Sequence, residues 1–161
     1  MVFKNEKQLK EFLLARCKSA IVQSEEKVHR IIDDCLKQFY SEFKPDEYIR
    51  TQQLLHSLVR SGIKSVGNGF EAEIYFDVEA LNYEKGTVPL QHTPEHGIYG
   101  LATWDAETVL RVAMTGDYGG LPHGGYKGGT AIWTESLKRI GDVWNLLEQE
   151  LRAQGIPIKK G

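Results

Sequence analysis

The residues with the most chemical promise sit in one short stretch, His92-Thr93-Pro94-Glu95-His96, with His123 further along. Two histidines four apart bind zinc when a helix lines them up on one face. Pro94 stands between them, and its ring and absent N–H oppose a helix there. The pair therefore reads as surface loop histidines, and a metal-dependent hydrolase built on His92, His96 and His123 ranks third among the functional readings. No Gly-x-Ser-x-Gly elbow is present to carry a serine nucleophile. Cys17 and Cys35 fall on an apolar helical face, apart from any loop histidine. Glu71, Glu73 and Asp77 alternate along the wet side of a strand, where carboxylates are ordinarily solvated. The glycine-rich run ends in Lys127-Gly128-Gly129, whereas a nucleotide loop requires Gly-Lys-Ser/Thr. The residues thus point to a non-enzyme with no catalytic, cofactor or metal site.

The elements that carry these residues begin with a long helix. Asn5 is a good N-cap and Gln8, three residues on, completes a signal like a capping box. Leu9, Phe12, Leu13, Cys17, Ala20 and Ile21 share a face, continued by Val28, Ile31, Ile32, Cys35, Leu36, Phe39 and Phe43. The spacing predicts a helix over 6–43, roughly 57 Å long, ended near Pro45, with a break near Gln23-Ser24 left open. An arm of that length outreaches a small sheet, so its surplus apolar surface is a candidate for contact with another subunit. On one helix, Cys17 and Cys35 stand about 27 Å apart, too far for a disulfide. Reduced thiols are expected.

A small antiparallel sheet is expected at about 50–87. Arg50 to Val59 reads as a short helix or turn leading into a hairpin, with a turn at Gly67-Asn68-Gly69. Its second strand is Glu71–Asp77, with Ala72, Ile74 and Phe76 on the dry face. Loop follows from Pro89 to about Gly100, then a short helix from Trp104 to Thr115, capped by Thr103 and closed at Gly116. In 116–129 seven of fourteen residues are glycine, interleaved with Tyr118, His123 and Tyr126. Such a loop can lie flat against a neighbour, because glycine permits close backbone approach and the rings supply area. The last helix, 131–154, carries Trp133, Leu137, Ile140, Trp144, Leu147 and Leu151 at helical spacing, the tryptophans as core anchors. Gly141 and Asp142 permit one kinked helix or two short ones. The expected class is α+β, one domain over 1–161, with the long N-terminal and C-terminal helices packed on the sheet.

Composition narrows the partners. A net charge of −2 over 161 residues argues against a sequence-specific nucleic-acid binder, which carries a basic excess. No apolar run reaches the ~20 residues that span a bilayer, and the first residues lack the apolar core of a secretory signal. Synthesis and folding in a host cytoplasm are expected.

Three local patterns then suggest a family. Tyr48-Ile49-Arg50-Thr51-Gln52-Gln53-Leu54-Leu55-His56-Ser57 is similar to an Arg-Thr-x-x-Leu-x-x-Ser lead-in to a sheet. Ala80-Leu81-Asn82-Tyr83-Glu84-Lys85-Gly86-Thr87 is similar to a Tyr-Ala-x-x-x-Glu-x-Gly-Thr stretch. A glycine-rich loop runs into Ile132-Trp133-Thr134-Glu135-Ser136-Leu137, and the following helix ends at Glu150-Leu151-Arg152-Ala153-Gln154-Gly155-Ile156-Pro157. In this order the patterns resemble the tail-completion (head–tail joining) proteins of long-tailed double-stranded DNA phages of the Hong Kong 97 type. The chain departs from that family at Lys85, where an apolar residue is common, and in a longer loop from Val88 to Tyr126.

The resemblance implies an α+β subunit of a ring, commonly six-fold, at the head–tail junction of a virion. Its neighbours would be neck (stopper) and tail-terminator proteins, and it implies neither catalysis nor a cofactor. Rings need heterologous contacts, one surface meeting a different one on the next copy. The candidate interaction residues are Arg50, Thr51, Glu84, Lys85, Gly86, Thr87 and Trp133 of the motifs, with Tyr118, His123 and Tyr126 of the loop. The alternative is a small phage protein that binds and inhibits a host factor.

Overall fold

The computed structural model describes residues 3–42, 53–81, 86–90, 100–104, 106–115 and 132–158. The chain is α+β, with a long N-terminal helix, small antiparallel strand pairs and helices at the C-terminal end. Helix α1, Glu6–Glu42, is continuous through Gln23-Ser24 and about 55 Å long. Asn5 caps it, its Oδ1 accepting from Gln8 N–H at 2.9 Å. Gln8 Oε1 in turn accepts from the backbone N–H of Lys4 at 3.0 Å, one residue before the position a capping box would use. Cys17 and Cys35 are free thiols on this helix.

Helix α2, Gln53–His56, leads into strand β1, Leu58–Arg60, where the sequence suggested only a helix or turn. Strand β2, Lys64–Val66, and strand β3, Gly69–Glu71, form the hairpin, with Val66 opposite Gly69. Its turn is therefore the two residues Gly67-Asn68, within the expected Gly67-Asn68-Gly69, and Gly69 begins the second strand. Gly67 has φ +56, the left-handed conformation a primed two-residue turn demands and glycine accepts without strain. The expected strand Glu71–Asp77 is broken at Ala72-Glu73. Strand β4, Ile74–Phe76, pairs instead with β1.

Two bonds show why. Ser61 N–H donates to the Glu73 carbonyl at 2.9 Å, and Ser61 Oγ accepts from Glu73 N–H at 2.9 Å, which occupies Glu73 outside either ladder. Asp77 N–H donates to the Ser57 carbonyl at 2.8 Å at the far end of the pair. The alternation of faces does hold: Ala72, Ile74 and Phe76 are half-buried while Glu71, Glu73 and Tyr75 are exposed.

A 3₁₀ turn follows at Glu79–Leu81, started by Asp77 Oδ1 accepting from Glu79 N–H at 3.0 Å and from Ala80 N–H at 3.3 Å. Strand β5, Gly86–Leu90, pairs antiparallel with strand β6, Gly100–Trp104. This ladder takes up Pro89, Leu90 and Gly100 at the ends of the expected loop, whose residues 91–99 lie outside the described residues, and takes Thr103 and Trp104 as strand rather than as the start of the following helix. Pro89 is tolerated because each strand of a two-stranded ribbon is an edge, where a missing N–H need break no ladder bond. Among the described residues the strands thus form three two-stranded pairs rather than one sheet. Helix α3 spans Ala106–Thr115.

The C-terminal helix is two: α4, Ile132–Ile140, and α5, Val143–Ala153. Gly141, at φ +66, breaks the path, and Asp142 restarts it, its Oδ1 accepting from Trp144 N–H at 2.8 Å. Helix α5 ends in a Schellman motif: Ile156 N–H donates to Leu151 O at 3.0 Å and Gly155 N–H to Arg152 O at 2.9 Å, with Gly155 at φ +80.

The chain divides into two compact units. One comprises Met1–Ile31, Arg60–Tyr75 and Arg139–Gly161. In it two contacts join α1 to the C-terminal end of α5: Arg16 donates to Gln154 at 3.2 Å and Lys27 pairs with Glu150. Ala20, Ser24, Glu25 and Glu150 are buried there. The other comprises Ile32–Val59 and Phe76–Lys138, with a core of Ile32, Cys35, Leu36, Phe39, Leu54, Leu81 and Ile132. Full burial of Leu36 and Ile132 contributes about 1.5–3 kcal/mol each.

Candidate interaction surface

Which side of α4 faces inward is set by two residues. Ile132 and Ser136, four apart and so on one face, are the buried ones. Trp133 and Leu137 each lie one position further on, about 100° round the helix, and both are 46% exposed. Ser136 is small enough to sit against the second unit's core, and its Oγ is buried without a hydrogen-bond partner. The expectation that Trp133 anchors the core is therefore overturned.

Trp144 overturns the same expectation on α5. It is 77% exposed beside exposed Val143, while the inward side of this helix carries buried Glu150 paired with Lys27. Its amide N–H is fixed by the Asp142 cap, so the first turn of α5 is locally rigid while the indole projects from it. A second apolar stretch lies on α1, where Leu9 and Leu13 are exposed. Between them Phe12 is held by the Phe3 ring at 5.2 Å and by the Arg16 guanidinium at 5.2 Å. The expectation that the arm of α1 carries surplus apolar surface is met at this end.

Several of the charged contacts involve α1. Glu25, its side chain 3% exposed, has Oε2 3.4 Å from Arg60 Nη2, and Glu26 Oε1 is 3.6 Å from the same nitrogen. Glu25 Oε1 and Ser24 Oγ are buried with no hydrogen-bond partner. A buried carboxylate with one weak ion pair is costly, and nothing in the hydrophobic spacing of α1 marked these two residues. On the hairpin, Lys64 Nζ meets Glu73 Oε2 at 3.1 Å. The hydrogen bond and the charge of Glu73, with smaller help from Glu71 and Tyr75, raise the Lys64 pKa above the ordinary 10.5. Lys37 is raised likewise, by its hydrogen bond to Asp33 and that carboxylate's charge, with a smaller contribution from Asp34. A shallow depression lined by Ala72, Glu73, Ile74 and Tyr75 marks the break between β3 and β4.

Of the candidate interaction residues, Gly86 and Thr87 open β5, opposite Trp104 and Thr103, and Trp133 stands on the outer face of α4. Arg50, Thr51, Glu84, Lys85, Tyr118, His123 and Tyr126 lie outside the described residues, as do His92 and His96. Among the described residues no group of three or more His, Cys, Asp or Glu is arranged to hold a metal ion. Among them, too, no helix is long and apolar enough to cross a membrane. Trp133, Leu137 and Trp144 were assigned to an inward stripe by their spacing, yet all three are exposed. On α4 the signal that could have separated them was Ile132 and Ser136, a competing inward pair one step out of phase. Comparison with protein-family models, with curated proteins and with solved structures finds no match to this chain.

Proposed function

We propose that this chain is a structural protein that acts by adhesion, a head–tail joining component of a long-tailed phage particle, and that it catalyses no reaction. The observation that carries the reading is the outward display of large apolar side chains, above all Trp144 at 77% exposure. Tryptophan is among the residues most enriched where interfaces carry their binding energy. The ordered motifs from Tyr48 to Pro157 supply the family, and with it a ring in which each copy offers one surface to a different surface of the next. Neck and tail-terminator proteins are the proposed neighbours. A net charge of −2 and apolar residues set out in small groups favour a subunit that stays monomeric or weakly associated until such a neighbour templates the ring.

Single-molecule mass measurement of the purified protein at micromolar concentration tests this, alone and with a neck or tail-terminator protein. The expected result is a monomer alone and a closed ring with the partner. A stable ring without a partner overturns the templating. Capture of a host enzyme in place of any virion component overturns the function.

A further inference from the structure

We draw no further inference here: the strongest candidate, the exposed apolar pair Val143 and Trp144 at the first turn of α5, belongs to the surface already described, and nothing in the structure shows what covers it.

Discussion

Single side chains decide two questions in this molecule, what is left in solvent and what is hidden at a cost. Trp144 is mostly in solvent, so its removal takes little from the folded state. Trp144→Ser is expected to change unfolding free energy by no more than about 0.5 kcal/mol, as for other surface substitutions, in a urea titration. The same variant is expected to lose partner-induced assembly in the mass measurement. A large loss of stability would instead place the indole in a core. Arg60 is the opposite case. Truncating it leaves the Glu25 carboxylate, 3% exposed, buried and unpaired, a change that costs about 3–5 kcal/mol when a pair is fully buried. Because Arg60 is itself 34% exposed, Arg60→Ala is expected to cost about 2–3 kcal/mol on that same basis. Adding Glu25→Leu should recover most of the loss, since the buried charge goes with it. Calorimetry of the single and double variants checks both statements.

At the scale of elements, the caps and breaks govern. Gly141 holds φ +66, and a Cβ built there would meet nothing within 4 Å. The penalty for Gly141→Ala is therefore the backbone's alone, about 1–2 kcal/mol, measurable by chemical denaturation. The hairpin supplies a pH test. In the folded protein the pKa of Lys64 is raised. The stabilisation from its pairing is thus fully present below the ordinary lysine value of 10.5 and is lost as pH rises through the raised one. The Lys64 Nζ titration followed by NMR is expected to have a midpoint above that of a free lysine, and Glu73→Gln should return it toward the ordinary value.

These elements also show what the sequence could disclose. Asn5, Gly141, Asp142 and Gly155 were legible because caps and left-handed positions depend on a few neighbouring atoms, and those neighbours are adjacent in the chain. The face of the 72–76 stretch was legible because strand alternation needs no knowledge of the partner strand. Pairing was not: β4 left the hairpin for β1 through the Ser61–Glu73 bonds, which join residues 12 apart. The β5–β6 ladder was hidden by Pro89, which reads as loop until the strand is known to be an edge. Trp133 was misplaced because size and hydrophobicity argue for burial, whereas the inward position went to small Ser136. Of the interaction residues named from motifs, Trp133 alone has its side chain described.

For the molecule as a whole, the two units share α1 as a continuous element, Met1–Ile31 belonging to one and Ile32 onward to the other. Each has its own buried residues, mostly polar in the first and mainly apolar in the second. The charges nearly balance, with 20 basic and 22 acidic side chains, so long-range repulsion between copies is weak. Association would then rest on short-range apolar contact, which is why the mass measurement with and without a templating partner bears directly on the proposed role.

The interruption at Gly141 sets a limit on how the tryptophans can be used. In an uninterrupted rod, Trp133 and Trp144 would sit eleven positions and three turns apart, within about 20° of the same bearing, and would form one continuous ridge. Because one helix stops at Ile140 and another starts at Val143, that spacing does not carry across the break, and each indole has to be probed by its own substitution.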